Sequence, residues 1–251
     1  MNEDFNELIK IFKQINNQGY IKGVSNNLSN ACGLTFEHLI NKKPDSKYLP
    51  DFKSVEIKTT QRFSHFPISL FSLKFNGPSS HESTYLLERY GKIDPKLENK
   101  KILTINLKIN EKVSVYGKYY FELNMDYLLQ RIFIKIYDAN KNYIEERAFI
   151  NFDFLNERIN AKIQSLALIF GSKKVMNNNL YFRYYQIKCY KYKDFNTFIN
   201  LIVSGDIKLT LMLRFSKSVN DNSSNKNKNM IFRIDKNSLD KLFNKIYSYE
   251  N

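Results

Sequence analysis

GLTFEHLINKKPDSKYLPDFKSVEIKTTQRFSHFPISLF, residues 33–71, is the most informative run of this 251-residue chain. Val55 to Thr59 carries β-branched residues and alternates in polarity, as a strand does. Side chains two apart on a strand share a face. Glu56 and Lys58 are therefore expected to point together into a cleft, with Val55 and Ile57 turned to a core. Asp51, after Pro50, approaches from the turn that leads into the strand. Two carboxylates and an ammonium then converge. Hard divalent cations such as Mg²⁺ take oxygen ligands, typically one or two carboxylates with water and substrate phosphate. A lysine beside them holds an attacking water and offsets the charge that builds on phosphorus. Phosphodiester hydrolysis is the chemistry this set suits. The same spacing also arises on a solvated strand edge with an ion pair, and by itself leaves that reading open.

The neighbours of the motif narrow the choice. Thr35–Leu39 reads as an amphipathic helical turn and Ser69–Leu73 as a second apolar strand, a helix-strand-strand frame. Short motifs follow in order: Gly33 with Thr35-Phe36-Glu37, Pro50-Asp51-Phe52, Glu56-Ile57-Lys58-Thr59, Leu70-Phe71, Arg89-Tyr90-Gly91-Lys92, Gly205-Asp206-Ile207-Lys208 and Phe232-Arg233-Ile234. Together they resemble the MvaI/BcnI family of type II restriction endonucleases, which is similar in turn to the mismatch-repair nicking enzyme MutH. The resemblance covers nearly the whole chain. It implies an α/β fold, a mixed sheet flanked by helices, with a MutH-like PD-(D/E)XK nuclease core and a DNA-clamping lobe. It implies Mg²⁺ as cofactor, catalysis by Glu37, Asp51, Glu56 and Lys58, and metal ligation by Asp51, Glu56 and Glu37. Family enzymes cut double-stranded DNA at CCNGG-type sites and act as monomers, with a cognate DNA methyltransferase expected in the same system.

Arg214 and Arg233 align with the arginines that MvaI-type enzymes present to guanine, whose O6 and N7 accept a guanidinium fork. Arginines in surface ion pairs on a basic sheet are the plainer alternative. Arg89 and Lys92 suit either a phosphate contact or a charged helix end. Where MvaI carries a pair of histidines, this chain has Asn225-Lys226-Asn227-Lys228-Asn229, so Lys226 and Lys228 are the candidate DNA contacts of that loop and the reading of the inner bases is altered.

Charge supports a polyanionic partner. The formal net charge is +14 and the pI about 9.5, a balance that draws nucleic acid first and anionic membrane second. The membrane option weakens because no run of about 18 uncharged apolar residues exists and the opening Met1-Asn2-Glu3-Asp4 is acidic. A cytoplasmic protein without a signal peptide is expected. Cys32 and Cys189 lack metal-ligand spacing and read as free thiols. His38, His65 and His81 are too scattered for a zinc site.

In chain order, residues 3–15 are expected as an amphipathic helix and Glu82–Tyr90 as a short helix ended by Gly91. Ile102–Asn110, Tyr119–Met125 and Arg131–Tyr137 read as an antiparallel meander. Phe149–Gln164 reads as a helix, Ser165–Gly171 as a buried strand, and Tyr181–Tyr192 as an aromatic strand with an exposed basic face. A helix over Asp194–Ser204, strands Lys208–Phe215 and Met230–Asp235, a polar loop Ser216–Asn229 bet to bind DNA, and a final helix from Asn237 to Tyr247 complete the reading. The lobes are drawn at about 1–100 with 150–175 for catalysis and 177–251 for DNA recognition. Two alternatives stay open: a strand-nicking repair endonuclease of MutH type, and a non-catalytic basic nucleic-acid-binding protein.

Overall fold

The computed structural model describes residues 2–28, 30–42, 49–61, 64–95, 100–214 and 227–251, the last segment without the side chains of 227–229. The chain opens with α1 (Glu3–Asn17), β1 (Ile21–Lys22) and α2 (Ala31–Leu39), followed by β2 (Glu56–Gln61), β3 (Ile68–Leu73) and α3 (Glu82–Tyr90). Six strands come next: β4 (Lys92–Ile93), β5 (Lys101–Leu107), β6 (Lys112–Val115), β7 (Tyr119–Asp126), β8 (Arg131–Asp138) and β9 (Tyr143–Asn151). Then come α4 (Phe152–Lys162), β10 (Ser165–Met176), β11 (Asn179–Tyr192), α5 (Phe195–Val203), β12 (Ile207–Arg214) and β13 (Asn227–Ile234). A 3-10 turn (Lys236–Ser238), α6 (Leu239–Leu242) and β14 (Phe243–Glu250) close it. This is the mixed α/β class expected.

Two compact units share the chain. The first takes Met1–Ile68, Arg158–Asp194 and Lys236–Asn251; the second takes Ser69–Glu157 and Phe195–Asp235. The expected lobe boundaries differ from this division. β11 and β14, drawn in a C-terminal lobe, belong to the sheet of the first unit, while α3 and β4, drawn in the catalytic lobe, belong to the second. Strand pairing between distant segments decides membership, and a linear reading cannot see it.

In the first unit the order β1-β11-β10-β2, with β14 also on β11, makes a mixed sheet. β2 runs parallel to β10 and the other pairs are antiparallel. Asn2 caps α1, its side chain accepting from the Phe5 N–H at 3.1 Å. The apolar stripe Phe5, Leu8, Ile9, Phe12 and Ile15 then packs with Val55, Ile57, Ala167, Ile169, Phe182, Tyr184 and Ile187. Val55 and Ile57 thus face the core as expected. Glu56 and Lys58, in register with Leu166 and Leu168 of β10, lie on the other face.

The second unit holds two sheets, β3-β13-β12-β5-β4 and the meander β6-β7-β8-β9. Phe71, Phe198 and Phe232 pack together at its centre with ring centroids 5.0–6.0 Å apart. Of residues 102–110, expected in the meander, 102–107 instead lie in β5 beside β12, while Ile109 and Asn110 bridge to Leu123 of β7. Leu103, Ile105 and Leu107 are buried in register with Leu213, Leu211 and Leu209. Apolar alternation gives a strand its face without naming its partner.

Two further expectations are corrected. Residues 149–151 are not helical: they end β9, paired with β8, and the helix starts at Phe152. The final helix is only Leu239–Leu242. Phe243–Glu250 is a strand, with Tyr247 and Tyr249 opposite Cys189 and Ile187 of β11. Its alternation serves a strand as well as a helix, and the open edge of β11 decides. No helix among the described residues is long and apolar enough to cross a membrane.

Candidate active site

A tight turn delivers the first carboxylate. Phe52 and Val55 exchange backbone hydrogen bonds of 2.9 and 2.7 Å, with Lys53 left-handed at φ 50°. The chain doubles back there, so that Asp51 Oδ2 accepts the Ile57 N–H at 3.0 Å. The turn is pinned to α1, where the Ser54 N–H donates to Asp4 Oδ2 at 3.3 Å and Lys53 pairs with Glu7. Asp51 is thereby fixed at the start of β2, as the motif spacing predicted.

Three ammonium groups meet the carboxylates. Lys58 Nζ donates to Glu56 Oε1 at 2.6 Å, and Lys42 pairs with Asp51 Oδ1. Lys162, the last residue of α4, reaches both acids: its Nζ stands 2.7 Å from Glu56 Oε2 and 3.7 Å from Asp51 Oδ1, and it donates to the Leu49 carbonyl at 2.6 Å. Glu56 is 1% exposed. Burial pushes its carboxyl above the ordinary glutamate range, against the opposing pull of Lys58. Asp51 goes the other way. Burial acts to raise it, but the Lys42 hydrogen bond, with Lys162, Lys58 and the Ile57 N–H, holds it below the usual aspartate range.

Glu37 joins from α2. Gly33 allows the approach, since a Cβ there would sit 3.1 Å from Thr59 Oγ1 of β2 and 4.0 Å from Glu37 Oε1. Burial raises the Glu37 carboxyl, Lys42 and Lys58 oppose, and the charges of Asp51 and Glu56 add to the rise. All four expected catalytic residues are therefore in electrostatic contact within one unit.

Whether the centre suits a divalent cation is a matter of its oxygens. Among the described residues, no three Asp, Glu, His or Cys side chains stand ready-made as a metal cage. Glu37, whose carboxyl feels the charges of both, is the third candidate ligand beside Asp51 and Glu56. Those two do fit a cation in common, because one ammonium already sits against both. Glu56 Oε2, buried, has no aligned hydrogen-bond donor among the described residues despite that charge contact. A set of carboxylate oxygens converging on one positive charge is what a hard cation takes.

Lys42 and Lys162 were not singled out from sequence. Lys42 lies inside the opening motif, held where its N–H donates to the Glu37 carbonyl at 2.9 Å. Its alignment on Asp51 depends on a turn that spacing does not reveal. Lys162 comes from a distant helix, and no local pattern marks it.

The expected DNA-contacting residues that are described lie in the second unit. Arg214 and Arg233 sit at opposite ends of the β12–β13 hairpin, opposite Asn227 and Lys208. Arg214 is engaged: Nε and Nη2 donate to Asp94 Oδ2 at 3.1 and 2.9 Å, and Asp94 is buried. Arg233 contacts Met212 Sδ at 3.5 Å, and its Nε is buried without a hydrogen-bond partner among the described residues. Arg89 is exposed, donates to Tyr85 Oη at 2.7 Å and lies over the rings of Tyr85 and Tyr90. Lys92, also exposed, stands 4.7 Å from the Tyr116 ring centroid. Lys226 and most of the 216–229 loop lie outside the described residues; Lys228 is described only as backbone, within β13.

A mixed sheet that offers an Asp…Glu-x-Lys set at its end strand, ringed by further lysines, suits the phosphodiester hydrolysis of an α/β nuclease. The sequence model of the MvaI/BcnI restriction endonuclease family matches residues 9–243. The chain belongs to that family and is a site-specific DNA nuclease. Among solved structures it is similar to the restriction endonuclease MvaI–cognate DNA substrate complex, at 24% identity, 98% coverage of both chains and TM-score 0.86. It is also similar to restriction endonuclease MvaI in the absence of DNA, at 21% identity, 98% coverage of both and TM-score 0.61. No curated protein sequence matches it.

Proposed function

We propose that the chain is a type II restriction endonuclease that cuts both strands of double-stranded DNA at a short CCNGG-like site, using Mg²⁺. The observation that carries this is the gathering of Asp51, Glu56 and Lys58 with Glu37 in one unit of a family member. Asp51, Glu56 and Glu37 would hold the cation. When bound, Mg²⁺ supplies polarisation of the phosphate and an activated water. Lys58, its Nζ beside Glu56, orients that water and offsets the charge that develops on phosphorus. Arg233 and Arg214 read guanines, while Arg89, Lys92, Lys226 and Lys228 meet the backbone. Similarity to an endonuclease–DNA complex supports duplex as the partner. The enzyme acts in the cytoplasm as a monomer beside a cognate methyltransferase.

The test is Lys58→Ala on plasmid DNA with Mg²⁺. Specific binding by gel shift is expected to persist while cleavage falls by about 100-fold or more; cutting at the wild-type rate removes Lys58 from the mechanism. Product topology separates the readings. Linear fragments support a restriction enzyme, and accumulation of open circles alone supports a nicking enzyme.

A further inference from the structure

Three carboxyl groups and three ammonium groups already balance in this centre: Glu37, Asp51 and Glu56 against Lys42, Lys58 and Lys162. Lys58 and Lys42 each pair with one acid. Lys162 is different, because a single ammonium spans both, at 2.7 Å from Glu56 Oε2 and 3.7 Å from Asp51 Oδ1. That is the relation a bridging cation would have to them. Mg²⁺ binds oxygen at about 2.1 Å and demands its lone pairs. An ammonium 2.7 Å from the same buried oxygen competes for the same space and the same charge.

We propose that Lys162 holds the cation's place between Asp51 and Glu56 and has to withdraw before the centre can load. The inference rests on the metal-centre reading above and adds a residue to it. Lys42 and Lys58 each offset one acid from its own side, and the two facing oxygens, Asp51 Oδ1 and Glu56 Oε2, still repel across the gap that Lys162 fills in the cation-free protein. Lysine suits the task, being a compact charge on a flexible four-carbon stem with three donors. Its hold on the Leu49 carbonyl at 2.6 Å keeps the ammonium at the spot. Lys162 is thus a positioning residue that keeps the two acids converged and sets the cation concentration at which the centre fills. A phosphate arriving nearby gives the displaced ammonium a new acceptor.

Cation binding to the full chain without DNA tests this, by calorimetric titration with CaCl₂ and by thermal unfolding in EDTA and in saturating Ca²⁺. Lys162→Met keeps the stem and removes the charge. It is expected to bind Ca²⁺ at least tenfold more tightly than wild type, to melt lower than wild type in EDTA, and to gain more in Tm from Ca²⁺. Lys162→Arg is expected to bind Ca²⁺ no more tightly than wild type. Equal or weaker binding by Lys162→Met overturns the proposal, since a merely structural lysine would lower affinity when lost. Should Lys162→Met not fold, the wild-type chain decides. Its ¹⁵N-labelled Lys162 ammonium resonance, identified by its loss in Lys162→Arg, is expected to move on Ca²⁺ titration, and a resonance that stays put overturns the proposal. Glu56→Gln separates the two levels. Ca²⁺ binding that vanishes in Glu56→Gln yet ignores Lys162 defeats the placeholder alone; absence of Glu56-dependent binding in every variant defeats the metal centre with it.

Discussion

Arg214 and Arg233 are the same residue type on one hairpin, but their partners give their loss different consequences. Asp94 is buried and takes both Arg214 contacts on one oxygen. Arg214→Ala leaves that carboxylate short of its guanidinium, at a cost of about 1–3 kcal/mol, discounted because the arginine is itself 38% exposed. Among the described residues, Arg233 makes a thioether contact and has a buried Nε without an acceptor. Arg233→Ala is expected to change stability by under about 1 kcal/mol while relaxing or abolishing site preference and sparing salt-sensitive non-specific binding. Thermal melts of both variants and sequencing of fragment ends from an unmethylated genome check the pair. Equal loss of stability, or an unchanged cutting pattern for Arg233→Ala, contradicts it. At this scale the sequence was informative where chemistry follows spacing. Glu56 and Lys58 share a face because a strand repeats every two residues. Lys42 and Lys162 escaped notice because their places are set by a turn and by chain crossing into a distant helix.

Among the elements, α2 and β2 set the geometry of the centre through one absent side chain. The 3.1 Å clearance at Gly33 brings α2 against Thr59, and Glu37 comes with it. Gly33→Val is expected to push the helix outward, costing about 1–3 kcal/mol of stability and, with Glu37 displaced by roughly an ångström, lowering kcat by about 100-fold. Single-turnover cleavage with a parallel binding assay tests this; a variant that binds and cuts like wild type shows that α2 does not position the acid. Elements with a clear apolar period, such as α1 and α3, were legible from sequence. β14 was not, since Phe243, Tyr247 and Tyr249 fit either period and only the free edge of β11 selects the strand. The same holds for β5, whose alternation fixed its buried face while β12 determined its sheet.

For the molecule as a whole, a net charge of +14 makes affinity for DNA a function of salt. If roughly six to ten phosphates are engaged, binding is expected to weaken by about 10³–10⁵ between 50 and 200 mM salt. Fluorescence anisotropy with a labelled duplex measures the slope, and a flat dependence would show that the basic surface is not the contact. The interleaving of the two units reaches beyond binding, into synthesis. Asp51 and Glu56 leave the ribosome long before Lys162 and β10, and the whole of residues 69–157 is made in between. A nascent chain therefore carries Asp51 and Glu56 without the strand that pairs β2 and without the lysine that contacts both acids. The centre cannot assemble until translation has run well past its midpoint, and no single scission of the polypeptide can release either unit whole.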